Sequence, residues 1–115
     1  MADYPLIQGQ TAGSWNEVYI AYAMDKLDIE YIYQYQFGTG RGVRGDYRID
    51  FIVYNPFAVP VEIYGEYWHT GQLGADDRLR LSIIENKFNR EAVIIWGNEC
   101  DTPEKAEAVV RQRLA

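Results

Sequence analysis

Residues 47–68 read YRIDFIVYNPFAVPVEIYGEYW. Two runs rich in Val, Ile, Phe and Tyr, the residue types that suit strands, flank the segment PFAVP, a turn bracketed by prolines. So short a connection leaves no room for a crossover, so the two strands are expected to pair antiparallel. Each run carries one carboxylate in its interior, Asp50 in RIDFIV and Glu62 in PVEIYG. A carboxylate inside an apolar strand is costly unless it is paired, hydrogen-bonded or on a metal. With the turn centred near residues 56–59, Asp50 and Glu62 come out roughly opposite each other.

The rest of the chain supplies what such a hairpin packs against. GSWNEVYIAYAMDKLDI predicts a first helix, with Ser14 as N-cap, Glu17 at capping-box spacing, and an apolar stripe of Val18, Ala21, Tyr22 and Leu27. EYIYQYQFG alternates rings with polar residues and predicts a strand, and GTGRGVRGD predicts a glycine-rich loop or long turn. ADDRLRLSIIENKF predicts a second helix with two acids in its first turn, where the helix dipole favours them. EAVIIW predicts a short strand of the buried kind. TPEKAEAVVRQRLA predicts a last helix, capped by Thr102 with Pro103 at its first position. The expected order is α-β-β-β-α-β-α: an α/β fold with a four-stranded mixed sheet flanked by helices. No repeat, low-complexity tract or linker divides it, so residues 1–115 are expected to form one domain.

Composition narrows the function classes. No apolar run approaches the ~20 residues of a membrane span, and no basic stretch followed by an apolar core suggests a signal peptide. The only cysteine is Cys100, which excludes an internal disulfide and a cysteine-based zinc site and suits a reducing cytoplasm. The charge balance is acidic, 11 basic against 17 acidic side chains. Taken alone this argues against nucleic acid, whose phosphates draw on Lys and Arg. The distribution qualifies it: Arg41, Arg44 and Arg48 crowd one short stretch, and Arg78 and Arg80 another. A binding face can be basic on an acidic molecule.

Asp50 and Glu62 side by side would repel unless a cation lay between them. Oxygen ligands of this kind suit Mg²⁺, which takes one or two carboxylates, several waters and a substrate phosphate. Strand alternation puts Tyr64 on the face of Glu62, and Glu17 shares its helix face with Ala21 and Met24. In VEIYGEYWHT, the strand end adds Trp68 and His69, the one side chain here with an unperturbed pKa near neutrality. Plainer readings stand beside these. Glu17 could be only a cap, Asp50 could satisfy a turn, Glu62 could pair with Arg48 across the hairpin, and His69 could be a packing or surface residue.

A helix glutamate, YQ at a strand end, a Gly/Arg loop, IDF and VEIYGEYWH, in that order from about Ser14 to Trp96, resemble the small nucleases of the restriction-endonuclease-like (PD-(D/E)XK) superfamily. Among these the chain is most similar to very-short-patch-repair (Vsr) endonucleases and their phage and bacterial relatives. The resemblance implies a restriction-endonuclease-like fold in which Asp50 matches the first acid and Glu62 the second. They would hold Mg²⁺, with Mn²⁺ as substitute and the Ile63 backbone carbonyl as a further ligand. The superfamily's lysine position falls on Tyr64, a departure. Relatives of the Vsr type also lack the lysine and keep a later histidine, which His69 matches. Glu17 matches a helix glutamate and Gln36 a polar residue near the site. The general base stays open among His69, a metal-bound hydroxide, and none at all in an inactive homologue.

The activity implied is that of a Mg²⁺-dependent endodeoxyribonuclease, nicking or structure-specific, with resolvase-like cutting of branched DNA included. It would act alone or as a homodimer in the cytoplasm of a bacterium or a phage-infected host. Arg41, Arg44, Arg48, Gln36 and Trp68 would face the DNA. The rival reading is an inactive nuclease-fold module for nucleic-acid binding or assembly, which the missing lysine and the net charge of −6 favour. An RNA substrate stays open.

Overall fold

Residues 4–38, 47–54, 57–65 and 74–115 are described by the computed structural model. In chain order they form a small hairpin of β1 (Leu6–Ile7) and β2 (Gln10–Thr11), then α1 (Trp15–Lys26), β3 (Glu30–Phe37), β4 (Tyr47–Tyr54) and β5 (Ala58–Tyr64). There follow α2 (Ala75–Phe88), β6 (Val93–Trp96), a 3₁₀ turn (Gly97–Glu99) and α3 (Pro103–Arg113). The fold is α/β, with a four-stranded mixed sheet in the order β3-β4-β5-β6. β4 pairs antiparallel with both β3 and β5, while β6 lies parallel to β5. α2 provides the crossover that a parallel pair needs.

The helix ends follow local chemistry. Ser14 accepts a hydrogen bond from the Glu17 amide, Thr102 accepts one from Lys105, and Pro103 opens α3. α2 ends on Asn89 in the left-handed region, with φ 54°. α1 and α3 cover one face of the sheet, where Val18, Ile20, Met24, Ala106 and Val110 meet Phe51, Val53, Val61 and Ile95. α2 covers the other, packing Ile84 and Phe88 on Ile49 and Ile52. The fold is thus a three-layer sandwich.

β3 breaks strict alternation. Tyr31 and Tyr33 pack on the α1/α3 face, yet Tyr35 and Phe37 pack on the α2 face. The switch falls at Gln34, whose φ of 56° lies in the left-handed region. β4 switches at the matching place, with Ile49 on the α2 face and Phe51 on the other. Left-handed backbone costs a non-glycine residue about 1–2 kcal/mol. Asp50 lies between Ile49 and Phe51, beside this strained point.

Three expectations are corrected. PFAVP is not all turn: Ala58 to Pro60 already pair with β4. Pro60 is tolerated because β6 pairs only with Val61 to Tyr64, so β5 is still a sheet edge at the proline. Tyr22 is exposed rather than part of the apolar stripe, and Ile20 and Ala23 are buried instead. β6 is an edge strand, not an interior one, and only Ile95 within it is fully buried. The β1–β2 hairpin was not foreseen.

That hairpin closes one edge of the sheet with side chains. Gln8 Nε2 donates to the Tyr31 carbonyl at 2.7 Å, Gln8 Oε1 accepts from the Tyr33 amide at 2.8 Å, and Gln10 Nε2 donates to the Tyr33 carbonyl at 3.0 Å. At the opposite edge, Arg113 donates to the Ile94 carbonyl and Glu99 accepts from the Trp96 amide, each at about 3.0 Å. Side chains that occupy edge groups block pairing with another sheet.

Gly97 fixes how the end of β5 meets the 3₁₀ turn. A Cβ there would collide with the Gly65 carbonyl oxygen, one residue past Tyr64. Asn16 Nδ2 also donates to the Gly97 carbonyl at 2.9 Å, tying α1 to the same turn. Gly97→Ala should therefore cost about 1–3 kcal/mol, the usual cost of overpacking. Gly65→Ala, whose methyl meets nothing among the described residues, should be close to neutral. Urea midpoints of the two variants check this.

Candidate active site

The β4–β5 register is Phe51 with Val61 and Ile52 with Pro60, so one step further sets Asp50 across from Glu62. The two carboxyl groups are close enough to perturb each other directly. Asp50 Oδ2 also accepts from the Ile63 amide at 2.9 Å, taking over from the backbone ladder at this point. Glu62 is the one charged residue fully buried among the described residues, at 3 % exposure. Its counter-ion is Arg80 of α2, 2.5 Å from Oε1, rather than Arg48. The Arg80 guanidinium also donates to the Arg48 carbonyl oxygen.

Burial pushes Glu62 up to about 8, and the adjacent Asp50 charge adds to the rise, while Arg80 opposes it. Asp50 is raised too, first by burial and then by the nearby Glu17 charge, against the pull of the Ile63 amide. Both shifts run in the direction that disfavours two bare carboxylates at this point in the absence of a cation. Tyr64 stands beside Glu62 and Arg80, and burial together with the Glu62 charge holds its hydroxyl up at about 12. Its ring packs on Trp96, with centroids 5.8 Å apart.

Glu17 is built in from three directions. Ser14 Oγ donates to Oε2 at 2.8 Å, Tyr33 Oη donates to Oε1 at 2.5 Å, and Gln34 Nε2 reaches Oε1 at 3.3 Å. The Tyr33 hydroxyl in turn accepts from the Gly13 amide at 3.0 Å. Burial, and then the Glu17 carboxylate, raise the Tyr33 pKa, so the hydroxyl stays a donor. Glu17 is thus more than a cap: its carboxylate is oriented into the site by a tyrosine and by the strained Gln34.

These groups open onto a cavity of about 710 Å³ lined by Gly13, Glu17, Gln34, Gln36, Arg48, Asp50 and Arg80. Of the residues singled out from the sequence, Glu17, Gln36, Arg48, Asp50 and Arg80 line it. Glu62 and Ile63 touch Asp50, and Tyr64 stands beside Glu62. Arg41, Arg44, Trp68 and His69 lie outside the described residues. Arg80, named above as part of a possible basic face, sits one turn before the buried Ile84 on α2 and so points at the sheet. Two site residues, Tyr33 and Gln34, carry no signal in the sequence, because a face switch at a glutamine breaks the alternation rule.

Among the described residues, no three His, Cys, Asp or Glu side chains converge as a metal cage. Mg²⁺ does not require one, since one or two carboxylates with waters suffice. The donor set fits such an ion: all hard oxygens, with Glu62 Oε1 and Gln34 Oε1 buried and lacking an aligned hydrogen-bond donor among the described residues. Asp50 and Glu62 would hold it, and Glu17, committed to three protein donors, would stand beside it. No helix among the described residues is long and apolar enough to cross a membrane. No family model, no curated protein and no solved structure matches the chain.

Proposed function

We propose that this chain is a Mg²⁺-dependent DNA endonuclease of the restriction-endonuclease-like fold, nicking DNA or cutting branched structures in a Vsr-like manner. The observation that carries the reading is the pairing of half-buried Asp50 with buried Glu62 on adjacent strands, set beside a polar cavity with two arginines on its lining. Two adjacent carboxyls with raised pKa values are a poor arrangement for stability alone and a good one for a cation.

Mg²⁺ bound there would supply activation of a water and neutralise charge on the phosphate. Asp50 and Glu62 would hold the ion. The Ile63 amide fixes the Asp50 rotamer, and the Ser14–Tyr33–Gln34 shell fixes Glu17, so both carboxylates are placed before substrate arrives. Arg48 and Arg80 face the cavity as phosphate contacts, with Gln36 as a neutral hydrogen-bonding group beside them. The base remains between His69 and the activated water itself. DNA is the partner, and the cytoplasm of a bacterium or phage-infected host the compartment.

The test is a plasmid-nicking assay with Mg²⁺, Mn²⁺ and EDTA. Cutting that needs the cation supports the reading; DNA binding without cutting in any metal supports instead a module that kept the fold and lost the chemistry. That second reading has one observation in its favour, the Arg80 ion pair on Glu62. Arg41 and Arg44 sit in the glycine-rich stretch GRGVRG as phosphate contacts. Replacing both with alanine should weaken binding on every DNA sequence and flatten the salt dependence by ~2 units of slope, about one per lost phosphate contact. Unchanged gel-shift affinity across salt would move the DNA to another face.

A further inference from the structure

Arg80 enters the site in a position that a metal would contest. Its side chain is 31 % exposed, while that of Glu62, directly beneath, is 4 % exposed. The guanidinium meets Oε1 of Glu62 without the alignment of a hydrogen bond, and it also reaches the Arg48 carbonyl. A guanidinium and a divalent cation cannot share one carboxylate oxygen, because both need its lone pairs and they repel each other. An isolated buried carboxylate, on the other hand, is costly, so Glu62 needs a partner whenever no cation is present. Arg80 comes from α2, whereas Asp50 and Glu62 come from the sheet, so it can leave without disturbing the strand pair. It already lines the cavity into which it would swing.

We propose that Arg80 is a built-in counter-ion, holding Glu62 in the metal-free protein and leaving it when a divalent cation binds. This deepens the nuclease reading and rests on it. Loading the site then frees one guanidinium at the cavity mouth, where the substrate phosphate would lie. Metal and phosphate binding are coupled through one side chain, and the site loads more readily when a phosphate is there to receive the arginine.

The experiment measures Mn²⁺ affinity by electron paramagnetic resonance on the full chain, with no DNA present. Arg80→Met keeps the apolar stem and removes the charge, and Arg80→Lys keeps a charge. Arg80→Met should bind Mn²⁺ at least ~10-fold more tightly than the parent, because a competing charge a few ångströms away is gone. Its thermal midpoint should be lower in EDTA and recover in excess Mn²⁺. Arg80→Lys should stay near the parent affinity. Equal or weaker binding by Arg80→Met overturns the competition while leaving the metal site standing. A gain in Arg80→Lys as large as in Arg80→Met also overturns it, since charge would not be the cause. If neither parent nor variant binds Mn²⁺, the metal reading fails and the proposal with it. Binding by Arg80→Met alone supports the proposal in its strongest form.

Discussion

Asp50→Asn should abolish cutting and leave DNA binding intact or tighter. The change keeps the size of the side chain, and the amide oxygen of asparagine can still accept from the Ile63 amide that Asp50 holds at 2.9 Å. The fold is therefore expected to persist. What is lost is one of two carboxylates available to the cation and one negative charge beside the phosphate path. Loss of even an outer-shell partner of a metal site costs 10–100-fold in activity, so loss of a ligand should exceed ~10²-fold. On the proposed reading DNA binding would rest on arginines, and removing a nearby anion should favour it. Glu62 also changes: burial still holds its pKa up, but without the Asp50 charge the rise is smaller, which favours its ion pair with Arg80. Nicking and gel shift on the same plasmid separate the two steps. A variant that cuts in Mg²⁺ at the parent rate would end the nuclease reading.

The facing of Asp50 and Glu62 was legible because a short antiparallel connection fixes register, and register fixes which residues oppose. The residues PFAVP set the pairing even though the strand starts within them. Helix ends were legible for the same local reason: Ser14, Thr102 and Pro103 each act on their own turn. What failed depended on contacts distant in sequence. EYIYQYQF reads as simple alternation, and nothing in it signals that Gln34 turns left-handed and moves Tyr35 to the other face. The reason lies on α1, where Glu17 accepts from both Tyr33 and Gln34. VIIW reads as an interior strand because it is apolar, but it is an edge whose backbone is covered by Arg113 and Glu99. Arg80 reads from the sequence as part of a basic face, and its spacing to Ile84 adds that it points at the sheet.

In the absence of metal, the protein should lose stability as pH rises from about 4.5 towards 8, the reverse of the usual carboxylate effect. The sign follows from Glu62, whose pKa rises from 4.5 to about 8 on folding because burial and the Asp50 charge disfavour its ionised form. Between those values the folded chain keeps a proton that the unfolded chain has released, so the folded state binds more protons and stability declines with pH. The contribution is whole below the unfolded pKa and is gone once the pH passes the folded one. The raised Asp50 acts in the same direction. Each unit of pKa difference is worth about 1.4 kcal/mol, so the total over the window is a few kcal/mol. A divalent cation held by the pair would reverse the trend: it would stand in place of protons on the carboxyls, so Mg²⁺ should stabilise more at the upper end of the window than at the lower and release protons on binding. Thermal midpoints in EDTA and in excess Mg²⁺, taken across this pH range, test both arms. Asp50→Asn is the control, since removing the neighbouring charge should flatten the slope in EDTA. A midpoint in EDTA that holds constant or rises with pH would mean that both carboxyls are ionised without a cation, and that Arg80 alone satisfies the pair.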